Sequence, residues 1–243
     1  MGNFDSTSSL AIVLFAALIH ASFQASISVL TLMSGHALGK KASHGRLLRL
    51  AGGFVAGVGV MTALLLSAAA FVSSQLLLGS TPALVWAAVC GAMLGAGLSV
   101  WLFYYKNGSG TSLWIPRHLA SYLNDRSKAT KQSAEAFGLG LTSVLAELLF
   151  VFAPVVVAAL VLIRLSPELQ LIGTLLYVTV ATLPLVAVGA LIGAGHTLAS
   201  IQKWRESNKK FLQFAAGGGL FALGLYVYVD RVIVATISAA GVQ

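Results

Sequence analysis

Charge is scarce in this sequence: Asp, Glu, Lys and Arg together make up 9% of its 243 residues, against roughly a quarter in a soluble globular domain. With 58% hydrophobic residues and a mean hydropathy of +0.90, the chain reads as a membrane protein. A single cysteine, Cys90, excludes an internal disulfide and dithiol chemistry, and is read as a small packing residue. Catalytic signatures are also missing. There is no G-x-S-x-G, no glycine-rich phosphate loop and no paired aspartates, so neither an enzyme nor a cofactor is expected. The opening "MGNFDSTSSLAIVLFAALIH" has no basic n-region and no A-x-A site, which makes its apolar run a retained helix rather than a cleaved signal. Gly2 and Ser6 match a myristoylation pattern, but a polytopic chain gains little from an acyl anchor.

Long apolar runs are what the sequence does have. Six are long enough to cross a bilayer, which takes about 20 helical residues: 10–33, 50–72, 82–105, 137–163, 169–194 and 211–229. The fold class is therefore all-α and polytopic. Thirteen of the 15 Lys and Arg fall between helices one and two, three and four, or five and six, and only Arg164 and Arg231 lie on the other side. This positive-inside pattern places three basic loops in the cytoplasm and both termini outside, as in a bacterial inner membrane. The formal charge of +8 then serves orientation and contact with anionic headgroups, so nucleic acid is not expected as a partner.

An even helix count with both termini on one side allows two inverted three-helix repeats, 1–105 and 137–243, joined by a linker over 106–136. Within the linker, Ile115, Leu119, Tyr122 and Leu123 share a face opposite Arg117, Asp125 and Arg126. This predicts an amphipathic helix lying on the cytoplasmic interface, with Pro116 in its first turn and Trp114 as anchor. Glycines are dense in the spans: Gly53/Gly57, Gly91/Gly95 and Gly189/Gly193 are spaced as G-x-x-x-G, and residues 217–219 are three in a row. Such spacing serves close helix packing within the chain or between two copies, so a homodimer is possible. Pro154 and Pro184 each free a carbonyl inside a span.

Glu147 is the one acidic residue deep inside a span, and His20 lies at matching depth on the helix that an inverted repeat makes its equivalent. A buried carboxylate costs several kcal/mol unless it is neutral, paired or wetted. His20 is the obvious partner. Gln24 lies one turn beyond His20 and Ser28 one turn further, giving helix one a polar seam that Thr31 and Ser34 extend loosely. Thr179 and Thr182, just before Pro184, add hydroxyls from helix five. His20, Gln24, Ser28, Glu147, Thr179 and Thr182 thus make a candidate midplane site for a proton, a cation or a small polar solute. The alternative is a set of structural hydrogen bonds between helices. His36 and His196 stand in matching Gly-His-x-Leu contexts at the cytoplasmic helix ends. They read as glycine-assisted helix ends or as gate residues. No H-x-x-x-H or H-x-x-x-D spacing occurs in the spans, so no metal site is assigned.

The 3 + 3 layout, the polar interruption early in helix one, the Leu-Pro of "VATLPLVAVGALIGAG" and a last helix ending "GGGLFALGLYVYVD" resemble one membrane superfamily. It joins the lysine exporters, the cadmium and nickel permeases, and the thiol-disulfide interchange membrane proteins of cytochrome c biogenesis. The redox branch carries a Pro-Cys in helix one and a cysteine in helix four, where this chain reads "HASFQASIS" and "AELLFVFAP". Thiol electron transfer is excluded. The resemblance then implies a secondary transporter or permease for a small solute or cation, using a His20–Glu147 pair as proton carrier. The competing expectation is a membrane scaffold, assembly factor or accessory subunit.

Overall fold

The computed structural model describes residues 6–23, 25–37, 44–77, 81–103, 117–194 and 198–234. Helices account for nearly all of them: α1 (Ser6–Ser22), α2 (Ala25–Ala37), α3 (His44–Leu76), α4 (Ala83–Phe103), α5 (Arg117–Ala129), α6 (Ser133–Leu162), α7 (Pro167–Gly193), α8 (Leu198–Ser207) and α9 (Lys209–Tyr228). A π-helical turn, Val229–Ile233, continues α9. No strand occurs among the described residues. Five helices, α3, α4, α6, α7 and α9 with its π turn, are each long and apolar enough to cross a membrane. The expected first span differs. It is two helices, α1 and α2, whose axes diverge by 45° and which together reach the length of a sixth span.

The central helix is α6, with 72% of its most apolar stretch buried, against 22–33% for the other four long spans. Glycine explains how α3 reaches it. A Cβ on Gly57 would meet the Phe137 carbonyl oxygen, and one on Gly140 would meet that of Phe54. The two backbones therefore touch along a parallel seam. Small residues are the usual means of such approach where lipid supplies no hydrophobic drive between helices. Gly189 and Gly193 of α7 face Ala51 and Leu48 of α3 in antiparallel sense, while Gly97 and Gly217 bring α4 and α9 together beside Phe221 and Trp101. Gly91 and Gly95 differ in being exposed and meeting nothing within 4 Å. Cys90 is buried, as expected of a packing residue. Pro154 and Pro184 lie inside α6 and α7, and neither ends its helix.

Two amphipathic helices flank the bundle at its basic end. The linker helix appears as α5, packed on α2 and α6 with Leu123 buried and Tyr122 exposed; Trp114 lies outside the described residues. The stretch expected to be a basic loop between the last two spans contains α8, which turns Ile201 and Arg205 inward and leaves Gln202, Lys203 and Glu206 exposed. At the opposite end the two remaining arginines are both engaged. Arg164 donates to Thr81 Oγ1 at 2.7 Å, and Arg231 pairs with Asp230 at 2.8 Å and lies 5.8 Å from the Trp86 ring centre.

The glycine seam yields a test. Gly57→Val or Gly140→Val drives a side chain into a backbone carbonyl and is expected to destabilise the bundle by about 1–3 kcal/mol. Gly52→Ala, with nothing within 4 Å of the added methyl, should be neutral or mildly stabilising. Unfolding by sodium dodecyl sulfate in mixed micelles measures both; equal stability of all three variants would show that the seam is loose.

Candidate functional site

The break in the first span creates the site. Carbonyl and amide groups at helix ends lack partners within their own helix, and inside an apolar span water cannot supply them. Phe23 closes α1 with a backbone hydrogen bond to the His20 carbonyl at 3.1 Å, and the Ser22 hydroxyl donates to the Ile19 carbonyl at 2.6 Å. On the other side of the break, the first-turn amide of α2 at Ser26 donates to Oε1 of Glu147 at 2.5 Å. Glu147 comes from halfway along α6, so a carboxylate of one helix caps the N-terminus of another. The placement is electrostatically favourable, since a helix N-terminus carries partial positive charge.

A second bond reinforces the first. The hydroxyls of Ser26 and Ser143 lie 3.1 Å apart, and Ser143 precedes Glu147 by one turn on α6. Phe23 and Phe150 stack with ring centres 5.6 Å apart on the far side of Glu147. Together these contacts make the α1/α2 span antiparallel to α6. Ser26, Ser143 and Glu147 are all buried.

His20 is close by but pairs elsewhere. Its Nδ1 lies 3.1 Å from the Tyr177 hydroxyl, one donating to the other according to the imidazole tautomer, and the two rings meet edge to face at 5.7 Å. The direct His20–Glu147 bond expected from the sequence is thus replaced by two separate bonds, one from α1 to α7 and one from α6 to α2. Both side chains line the same small cavity, with Phe23, Ser26, Val58 and Pro184 among its other walls. Its volume is about 10 Å³, near the lower limit for one water molecule.

The remaining expected site residues scatter. Ser28 accepts from Nη2 of Arg205 at 2.9 Å, on the side of α2 that faces α8, and leaves the seam towards Glu147. Thr182 is buried but donates back to the Val178 carbonyl at 2.8 Å, and Thr179 is exposed. Thr31 donates to the Ser28 carbonyl at 2.8 Å. Gln24 and His196 lie outside the described residues. His36 is in the last turn of α2, and its side chain also lies outside them. No group of three or more His, Cys, Asp or Glu among the described residues could hold a metal ion.

The sequence reading missed Ser26, Ser143, Tyr177 and Arg205. Ser143 carried a signal, being four residues before Glu147 on the same helical face. Arg205 carried one as well, four residues after Ile201 in a stretch with helical periodicity. Tyr177 had none, because an aromatic in a span is ordinarily packing.

A larger cleft of about 560 Å³ adjoins the small cavity and shares Ala21, Ile27 and Pro184 with it. Its other walls come from α7, α8 and the start of α9, with Arg205 and Trp204 among them.

The His20–Tyr177 bond can be measured by a double-mutant cycle. Tyr177→Phe and His20→Leu should each destabilise the protein, with a coupling of about 1 kcal/mol between them in detergent unfolding. Strictly additive losses would mean that the two side chains do not interact. Compared with known protein families, with characterised proteins and with solved structures, the chain shows no significant similarity to any.

Proposed function

We propose that the protein is a secondary transporter of a small polar solute or cation, with Glu147 as the group that exchanges solute for a proton. One observation carries this reading: a buried, titratable carboxylate caps a helix that begins inside a span. Half-helix ends within the membrane are where transporters hold polar cargo, because backbone groups there are turned towards a site instead of their own helix. Intramembrane ionisable residues are costly and tend to be functional. Ionised, Glu147 attracts a cation or a hydrogen-bond donor of the solute alongside the Ser26 and Ser143 hydroxyls. Protonated, it loses that attraction. Competition of proton and solute for one carboxylate couples their movements in opposite directions.

Two inverted three-helix units supply the movement. The reading is supported by the pairing of helices, which is unchanged when α1/α2 is exchanged with α6, α3 with α7, and α4 with α9. The α3–α6 pair then becomes α7 with α1 and α2, and the α4–α6 pair becomes α9–α1. The α3–α7, α4–α9 and α1–α6 pairs map onto themselves. His20 and Glu147 are separated by 127 residues, and so are the stacked Phe23 and Phe150, as repeat equivalents across a two-fold axis would be. Rocking of one unit on the other moves the α1–α2 junction relative to Glu147. In this reading the α5/α8 end is cytoplasmic and both termini lie outside, in a bacterial inner membrane; the concentration of Lys and Arg at that end supports it.

Glu147→Gln tests this. The amide oxygen still accepts from Ser26, so folding is expected to be kept within about 1 kcal/mol, while the exchangeable proton is lost. In proteoliposomes loaded with pyranine, solute-driven proton movement should fall at least about tenfold, as expected when the titrating group itself is removed. Proton movement in Glu147→Gln equal to that of the parent would refute the role of Glu147. Glu147→Ala differs by leaving a buried amide unsatisfied, and should cost about 1–3 kcal/mol in stability.

A further inference from the structure

The cleft beside the α1–α2 junction has a chemistry unlike that of the Glu147 site. Arg205 forms part of its wall and is only 3% exposed, although α8 is a surface helix whose neighbouring Gln202, Lys203 and Glu206 are all exposed. A long basic side chain at a membrane surface ordinarily extends its charge into the headgroup region. This one is turned inward and ties α8 to α2 through the Ser28 hydroxyl at 2.9 Å. None of the described lining residues is acidic, so Arg205 brings the only charge to a wall that is otherwise mostly apolar, with Ile27, Val188, Leu191 and Leu212. Trp204, 58% exposed, also lines the cleft, and Leu191 is 42% exposed on its α7 side.

We propose that this cleft binds an anionic membrane lipid, its phosphate held by the Arg205 guanidinium and an acyl chain laid along α7 and α9. The guanidinium is planar and always charged, which suits bidentate contact with phosphate oxygens. The apolar trough fits a ligand with a tail, and its volume of about 560 Å³ is of ligand size. A soluble inorganic anion has no use for those walls, and a cation is repelled by them. Lys203, Lys209 and Lys210 at the same end add positive potential, which concentrates acidic lipid nearby. Trp204 is exposed on the short helix that follows the α7 span, a position in the chain where interfacial tryptophans are common. Because Ala21, Ile27 and Pro184 belong to both cavities, a bound lipid lies against the helix break. Its binding does not depend on whether Glu147 moves a proton.

Native mass spectrometry of the full chain, released from detergent with phosphatidylglycerol or with phosphatidylcholine of identical acyl chains, provides the test. Phosphatidylglycerol should bind at least about tenfold more tightly, the scale of a charge-assisted hydrogen bond. Arg205→Gln should remove that preference. Because Arg205 also braces α8 against α2, a second variant leaves it in place: Leu191→Trp fills the trough and should weaken both lipids. Equal retention of the two lipids by the unsubstituted protein overturns the proposal, as does a preference that survives Arg205→Gln or retention unaffected by Leu191→Trp. Full displacement of the lipid by inorganic phosphate alone would also overturn it, by showing that the tail contributes nothing.

Discussion

A helix that starts inside an apolar span must find acceptors for its first amides, and the rest of this structure is arranged around that requirement. The Ser26 amide cannot turn to water, so the acceptor has to come from another helix. Glu147 meets the need with a carboxylate, and in doing so fixes where α6 lies, which face it turns to α1 and α2, and how the two cross. The Ser26–Ser143 contact and the stacking of Phe23 on Phe150 follow from the same crossing. The glycine seam with α3 then lets the most buried helix of the bundle sit close enough on its other side.

His20 and Glu147 have separated their tasks. His20 ties α1 to α7 through Tyr177, so it links the first half of the broken span to α7. Glu147 ties α6 to α2, the second half. Any displacement of α1 and α2 against α6 and α7 therefore acts on both bonds at once. The adjoining cleft adds a third tie, Arg205 to Ser28, from a surface helix to the same α2. The short helix after the break is thus held at its start by a carboxylate and further along by a guanidinium.

Much of the architecture could be read without coordinates, because hydropathy, charge asymmetry and glycine spacing are local properties of the chain. The five continuous spans fall close to where the apolar runs put them. The reading of 10–33 as one helix failed because nothing in "HASFQASIS" forbids a helix: the interruption carries no proline or glycine, and depends on Glu147 offering a better partner for the Ser26 amide. The segment 198–207 was read as a loop since its charges hid the inward positions at Ile201 and Arg205. Thr179 and Thr182 were grouped with Glu147 by nearness to Pro184, yet one side chain faces out and the other bonds its own helix.

The sequence alone determined that the chain is built of membrane-length helices, that its basic residues gather at one end, and that Glu147 and His20 are the titratable groups lying deep within it. These follow from composition along one dimension. Only the tertiary structure decided which partner each group takes, because a hydrogen bond inside a bundle is set by helix rotation and crossing to within an ångström, and neither is encoded at a single position. The same reason placed Ser28 with Arg205 instead of Glu147. Two residues of α2, about half a turn, separate the contacts to two sites of opposite charge, and the register of α2 after its break chooses between them.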